Sequence, residues 1–362
     1  MERLKMLFAQ KRERNTALDL LRISALFCVI SVHFFYNLST YYYSPVVGLP
    51  MLVMTAMRGL FMICVPLFMM LSGFLMRNKK LSGRYYLGLI KTCAVYLIAS
   101  VACTYYKIHV LGQNVGYIDG IINFNGAQYA WYVEMYIGLF LLIPFLNVMY
   151  NGLDGKGKKL ALIATMLFFT SLGQIINDLP TWNYTVIYPI TYYFIGCYLN
   201  EYPPRLKWYV TLPALVASIA ALGGVSFWLC YGQEKINAPW QSHQSLPIVI
   251  ISVLWFVLFM NINCSRFPAW LRYVIGVLSN LTFGAYLMSY VADKIVYGSL
   301  VSSLRVVGDY VRADNMLGFY LPCVFKVLVL SFVFSAGCNI VYSLIRFLIT
   351  TVISRCKTKR TV

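Results

Sequence analysis

Residues 18–33 read LDLLRISALFCVISVH, an apolar run interrupted by an aspartate, an arginine and a histidine. Arg22 and His33 are eleven positions apart, so at about 100° per residue they lie within about 20° of each other around an α-helix. Their separation along the helix axis is about 16 Å. One face of the predicted helix therefore carries a fixed cation near one end and a titratable imidazole toward the other.

The rest of the chain is apolar enough to lie in a membrane. Its 362 residues have a mean hydropathy of +0.69, and 60% are hydrophobic while only 12% are charged. Spanning the hydrocarbon of a bilayer takes about 20 apolar residues. The segments that meet or approach this length are 17–37, 50–76, 84–108, 129–150, 158–177, 183–200, 207–231, 244–262, 271–297 and 316–350. We predict an all-α fold, a polytopic transmembrane helix bundle of about ten spans.

The distribution of lysine and arginine predicts the orientation of these spans. The net charge is +18, and basic clusters alternate with loops poor in Lys and Arg, as the positive-inside rule requires. The basic clusters are 77–84, 154–159, 203–207, 265–272 and 355–360. An even number of spans then places both termini in the cytoplasm. Short loops between lipid-facing helices offer no basic groove, which argues against a nucleic-acid partner.

Three regions follow from this topology: a basic cytoplasmic segment at 1–16, a membrane domain at 17–350, and a basic cytoplasmic tail at 351–362. The ten cysteines and three histidines form no CxxC pair or metal-ligand spacing. We therefore expect no metal site and no permanently bound cofactor.

Ionisable side chains inside the spans are expensive and mark functional sites. At 1.5 Å per residue, they fall at two depths. A cytoplasmic layer holds Arg22, Arg84 and Lys91, with Asp19 and Ser72 beside them. An outer layer holds His33, Glu134, Arg58 and Lys326.

Each of these residues also has an ordinary structural explanation, which for His33 is an interhelical hydrogen bond. Asp19 and Arg22 are three apart and pair on a helix surface. Lys91 and Arg58 have stems long enough to reach the headgroups, and Arg84 suits a positive-inside anchor. Glu134 and Lys326 suit a packing pair, and Ser72 precedes a glycine that permits close helix approach.

The two layers match one reaction. A cationic patch open to the cytoplasm binds a phosphate-bearing donor, and acyl-coenzyme A adds a long thin arm that reaches about 16 Å deeper. There His33 can act as the base for a hydroxyl acceptor, while Glu134 holds its ring as a carboxylate does in hydrolytic triads. Direct attack by the acceptor and a transient acyl-histidine both stay open.

The chain resembles the integral-membrane acyltransferase-3 family at five segments in the expected order. They are LDLLR…H (18–33), VPLFMMLSGFL (65–75), WYVEMY with IPFL (131–146), YYFIGCYL (192–199) and LSNLTFGAYLM (278–288). The resemblance implies about ten core helices, acyl-CoA as donor, and transfer of an acyl group, usually acetyl, to a carbohydrate. It carries roles onto Arg22, His33 and Glu134. Two departures are Ser289, where many members have histidine, and a single arginine, Arg84, where an Arg-x-x-Arg pair is common.

We therefore predict an O-acyltransferase of a bacterial plasma membrane, with His33 and Glu134 catalytic. Asp19, Arg22, Arg84, Lys91, Ser72, Arg58 and Lys326 are predicted to bind substrate. The predicted partners are acyl-CoA, a carbohydrate or glycolipid acceptor, and the lipid bilayer. The main alternative is an exporter of a surface polysaccharide, in which His33, Glu134 and Lys326 relay protons; the chain lacks the internal symmetry typical of such transporters. A sensory or scaffold domain is a third alternative, but it needs no charges aligned at two depths.

Overall fold

A computed structural model describes residues 15–38, 40–124, 126–172, 182–307 and 313–358. In these ranges 81% of the residues are helical and no strand occurs. Residues 1–14 of the predicted N-terminal segment and 359–362 of the predicted tail lie outside the described residues, while 351–358 continue the last helix. The α-helices are α1 Thr16–Leu38, α2 Thr40–Tyr43, α3 Gly48–Phe61, α4 Cys64–Met76, α5 Gly83–Tyr86, α6 Leu89–His109, α7 Tyr117–Ile122, α8 Trp131–Asn151, α9 Gly155–Ser171, α10 Tyr188–Glu201, α11 Trp208–Leu229, α12 Leu246–Met260, α13 Ala269–Val307 and α14 Ala313–Thr358. Two 3₁₀ turns lie at Trp182–Ile187 and Cys264–Arg266.

Within the described part of the chain, seven helical stretches are long and apolar enough to cross a membrane. They are α1, α3 with α4, α5 with α6, α8, α11, Ala269–Leu300 of α13 and Met316–Thr351 of α14. The predicted spans at 158–177, 183–200 and 244–262 contain the shorter helices α9, α10 and α12, of 17, 14 and 15 residues. The fold is thus an all-helical membrane bundle, while the count of ten spans stays a prediction.

Helix α1 lies at the centre of the bundle, packed against α3, α4, α12, α13 and α14. Its sequence is apolar around most of its circumference, which is typical of a helix buried on all sides. By contrast, α14 carries an exposed apolar stripe that includes Leu321, Phe325 and Val329. Four-residue spacing places these side chains on one face, and such a face is suited to lipid.

Small residues permit the closest helix crossing, between α4 and α10. A methyl group on Gly73 would overlap the main-chain oxygen of Tyr193, and one on Gly196 would overlap that of Met70. This reciprocal contact explains the glycines of the SGF and IGC sequences, because each helix backbone occupies the space that the other's side chain would need.

Proline residues free main-chain carbonyls that side chains then satisfy. Pro144 in α8 has no N–H for the carbonyl of Phe140 one turn earlier, and the hydroxyl of Tyr85 donates to that oxygen at 2.6 Å. Asn147 next donates to the oxygens of Met76 and Lys79 at 2.9 and 2.8 Å, beyond the end of α4. These bonds fix α8 against α4 and α5 where the backbone polar groups lack helical partners.

Candidate active site

Arg22 is held at the start of α1 by a contact with α13. Asn15 caps the helix by accepting hydrogen bonds from two N–H groups of the first turn. Arg22 Nη1 donates to Ser279 Oγ at 2.9 Å and lies 3.4 Å from Asp19 Oδ1. Ser279 Oγ donates to the same carboxylate oxygen at 2.6 Å. Asp19 is buried, so this carboxylate positions the guanidinium.

His33 lies eleven residues along α1 and faces a buried carboxylate from α13. Its Nδ1 is 3.4 Å from Asp293 Oδ2, and Asp293 is fully buried. Tyr129 stacks on the imidazole with 3.7 Å between ring centroids and donates to the same Oδ2 at 2.7 Å. Asn37 donates to the main-chain oxygen of His33 at 2.9 Å. A carboxylate beside Nδ1 favours the tautomer with its proton on Nδ1, which leaves Nε2 as a lone-pair base.

A second imidazole reaches the same region from the loop between α11 and α12. Pro66 lacks the N–H that the carbonyl of Met62 would bond in a continuous helix, and His243 Nδ1 lies 2.9 Å from that oxygen. A carbonyl only accepts, so Nδ1 carries the proton. Burial lowers the pKa of His243 to about 4, a shift that the bond to Met62 opposes and the charge of Arg58 reinforces. His243 is therefore neutral at pH 7 with a free Nε2 lone pair.

Two cavities lie at the two ends of this group of residues, one at Arg22 and one at His33. The Arg22 cavity, of about 310 Å³, includes Arg22, Ser72, Thr92, Tyr136 and Thr282 in its lining. The His33 cavity, of about 240 Å³, includes His33, His243, Tyr36, Tyr129 and Trp131. Phe68, Tyr132 and Tyr286 line both cavities, and we call these three rings the aromatic wall. The ring of Tyr132 lies 5.7 Å from Phe68 and 5.5 Å from Tyr286, centroid to centroid.

Four predicted site residues lie away from these cavities. Glu134, in the first turn of α8, is exposed and forms no ion pair within the described part of the chain. Lys326 is exposed on α14. Arg84 and Lys91 are exposed on α5 and α6, and neither lines the Arg22 cavity. The expected contact of Glu134 with His33 is thus absent among the described residues, and the carboxylate beside the imidazole is that of Asp293.

Ser72 and Arg58 both lie at cavities. Ser72 lines the Arg22 cavity, with its hydroxyl bonded back to the main-chain oxygen of Phe68 at 2.9 Å. Arg58 lines a third cavity, in which its Nε donates to Tyr42 and its Nη1 to Gln241, both at 2.9 Å. These bonds hold the Arg58 side chain within the protein, so it does not extend to headgroups as a snorkelling residue would.

A family model described as an acyltransferase domain matches residues 15–350 of the chain. The chain belongs to the acyltransferase-3 family. No curated protein and no solved structure matches it significantly. The match takes in α1, both cavities and most of α14, and with seven membrane-length helices it makes the chain a multi-pass membrane acyltransferase.

Sequence reasoning missed two residues of this candidate site. Asp293 lies one helical turn after Ser289, four residues on, within an apolar helix where a carboxylate is itself a signal. His243 follows a loop rich in polar residues and gives no such signal. Its link to the site depends on Pro66, which frees the carbonyl of Met62.

Proposed function

We propose that the protein is an O-acyltransferase of a bacterial plasma membrane. It transfers an acyl group, most simply acetyl, from acyl-CoA to a carbohydrate hydroxyl. The observation that carries this proposal is a pair of neighbouring cavities that share the three rings of the aromatic wall, with a guanidinium in one and an imidazole–carboxylate pair in the other. Ten spans with both termini cytoplasmic would place the Arg22 cavity on the cytoplasmic side, where acyl-CoA is made.

The Arg22 cavity suits the donor. Arg22 supplies a planar cation that binds phosphate through paired N–H groups. A cavity of about 310 Å³ is at the small end for ligand pockets, which fits the narrow arm of the coenzyme with its nucleotide outside. Exposed Arg84 and Lys91 then lie where they can attract that nucleotide from solution.

The aromatic wall lies between the arm of the donor in the Arg22 cavity and the acceptor in the His33 cavity. Tyr286 is fixed because its hydroxyl donates to the main-chain oxygen of Tyr129, the residue that stacks on His33. The acyl end of the donor must pass this wall to reach His33. The rings thus exclude water along the path, which protects the thioester from hydrolysis.

The chemical step is an acyl transfer with His33 as base. His33 Nε2 takes the proton of the acceptor hydroxyl as the oxygen attacks the thioester carbonyl. The carbon–sulfur bond breaks as the tetrahedral intermediate collapses, and the imidazolium returns the proton to the leaving thiolate. Asp293 takes the orienting role predicted for Glu134, because its carboxylate stabilises the imidazolium. His243 has no such partner, so it accepts a hydrogen bond from the acceptor and does not take the proton.

Radiolabelled acetyl-CoA turnover by protein in nanodiscs tests this proposal. Wild type should consume the thioester in the presence of a glycan acceptor, and His33→Ala should lose at least about a hundredfold in rate. His109→Ala is the matched control, since His109 is exposed at the end of α6. Equal turnover by wild type and His33→Ala would refute the role of His33. No turnover by wild type with any acyl chain would refute the acyltransferase proposal and make glycan transport the next assay.

A further inference from the structure

The third cavity, which we call the Arg58 cavity, lies beside the His33 cavity. It has a volume of about 310 Å³ and a mostly polar lining. Its walls come from α2, α3 and residues 236–242 of the loop that carries His243. Tyr36 joins the two cavities: it lines the His33 cavity and stacks on Tyr42 of the Arg58 cavity, with ring centroids 5.8 Å apart at 17°.

Arg58 is a cation without a counter-charge. Its Nε and Nη1 donate to neutral oxygens of Tyr42 and Gln241, and its Cζ lies 6.0 and 5.6 Å from the ring centroids of Tyr36 and Tyr42. No carboxylate within the described ranges lies within ion-pair distance of it. Its Nη2 has two N–H groups and no acceptor among the described residues. A half-buried guanidinium with an unused pair of N–H groups binds an anion strongly.

The surroundings fix this guanidinium in place. The amide of Gln241 is oriented because its Nε2 donates to the main-chain oxygen of Thr55 at 3.0 Å, which turns Oε1 toward Arg58. Ser245 holds the loop by donating to the main-chain oxygens of Trp240 and Ser242. The donor fork of Arg58 is therefore organised before any ligand arrives, which reduces the entropic cost of binding.

The other lining groups suit a sugar. Tyr42 and Trp240 contribute aromatic rings to the cavity lining, and aromatic rings pack on the C–H surfaces of a sugar ring. Trp240 has φ of 57°, a left-handed conformation that is uncommon outside glycine and tends to mark functional sites. Asn237 is exposed in the same lining, and its amide offers both a donor and an acceptor to hydroxyl groups.

We propose that the Arg58 cavity binds a sugar residue of the acceptor that carries an oxyanion, either a carboxylate or a phosphate. This proposal rests on the proposed function, because it identifies the class of carbohydrate whose neighbouring hydroxyl reaches His33. Arg58 forms two N–H···O bonds to the oxyanion, and the aromatic faces hold the ring. A neutral glycan lacks the first of these interactions and is a poorer acceptor.

Calorimetric titration of the full-length protein in phosphatidylcholine nanodiscs tests the proposal. Methyl glucuronide and methyl glucoside form a matched pair that differs only at C6, a carboxylate in the first and a hydroxymethyl group in the second, so the wild-type comparison needs no variant. The glucuronide should bind at least about tenfold more tightly, as expected for a charge-assisted hydrogen bond. Arg58→Gln should abolish that preference and Arg58→Lys should keep part of it. Lys235→Gln, an exposed cation of the same loop, should keep all of it.

Equal binding of the two glycosides by wild type, or a preference that survives in Arg58→Gln, would overturn the proposal. Glucose 6-phosphate against the glucuronide distinguishes phosphate from carboxylate as the recognised group. Inorganic phosphate that binds as tightly as glucose 6-phosphate would overturn the role of the sugar. Acetyl-CoA turnover is measured separately, so glucuronide binding without turnover would refute the acyltransferase function alone, and turnover without glucuronide preference would refute the Arg58 subsite alone.

Discussion

Replacing Asp293 by asparagine is the sharpest test of the active site, because it changes one oxygen to nitrogen and leaves the volume intact. Asp293 Oδ2 lies 3.4 Å from His33 Nδ1 and accepts the hydroxyl of Tyr129 at 2.7 Å. Asparagine removes the charge and lets the amide face the imidazole with either its N–H or its oxygen. In the first orientation Nδ1 becomes the acceptor and Nε2 carries the proton, so His33 cannot serve as base.

The size of the effect follows from the distance. At 3.4 Å and an effective dielectric constant of about 20, the carboxylate stabilises a neighbouring unit charge by at most about 5 kcal/mol. Since about 1.4 kcal/mol corresponds to a tenfold change in rate, the ceiling is somewhat above a thousandfold. General bases contribute about 10²–10⁴ in rate. We expect Asp293→Asn to lower kcat by about a thousandfold with little change in KM for acetyl-CoA.

The assay is steady-state transfer of radiolabelled acetyl groups by nanodisc protein, with Tyr129→Phe and Glu134→Gln beside it. Tyr129→Phe removes one hydrogen bond to the carboxylate and should cost about tenfold. The loss in Glu134→Gln should be at least ten times smaller than in Asp293→Asn, because Glu134 is exposed on α8. A thousandfold loss in Glu134→Gln together with an active Asp293→Asn would refute the assignment and restore the orienting role to Glu134.

Three further predictions concern the donor site and the stability of the bundle. Arg22→Gln should raise KM for acetyl-CoA about tenfold or more with a smaller change in kcat, because the cation binds phosphate in the ground state and the transition state alike. An unchanged KM in steady-state kinetics would exclude Arg22 from the donor site. Gly73→Ala should destabilise the protein by about 1–3 kcal/mol or more through backbone overlap, measured by thermal unfolding in detergent. The control Gly138→Ala has open space around it and should unfold at or slightly above the wild-type temperature. Burial raises the pKa of Glu201, but the hydrogen bonds and charge of its basic partners, chiefly Lys159, outweigh it and lower the pKa below its ordinary 4.5. The ion pair of Glu201 therefore stabilises the fold fully above about pH 4.5 and less as the pH falls further. Glu201→Gln should unfold at a lower temperature than wild type at pH 7 and at nearly the same temperature in acid. A difference in unfolding temperature that persists at low pH would contradict the ion pair.

The sequence sufficed for the parts of the site that one helix builds. Arg22 and His33 share a face of α1 because their spacing is close to a whole number of turns, and each lines a cavity. Each of the ten segments predicted from hydropathy contains a helix. Helices α9, α10 and α12 are too short for length and composition alone to decide whether they cross the membrane. Ser72 precedes Gly73, and the close approach considered for that pair is the α4–α10 contact.

The partner of His33 could not be derived in this way, because it depends on which helices pack together. Glu134 and Asp293 are both carboxylates in or near apolar segments, and nothing local distinguishes them. The structure does so through helix packing: α13 lies against α1, whereas α8 presents Glu134 to the outside of the bundle. The late segment 278–288 lies on the helix that packs against α1, and its Ser279 also anchors Arg22. One helix thus positions both charged ends of the site.

A proline helps to explain why His33 and His243, which line the same cavity, have different proposed roles. An apolar segment that contains proline must find a donor for the carbonyl four residues earlier, so the sequence predicts an unsatisfied oxygen at Met62 but not the group that bonds it. His243 does so, and its bond fixes the Nδ1 proton against a neutral oxygen. That partner cannot compensate the cost of charging a buried ring, whereas the carboxylate of Asp293 can do so for His33. In the proposed mechanism the site therefore separates one base from one neutral acceptor, and a carboxylate on α13 and a proline on α4 decide which imidazole has which role.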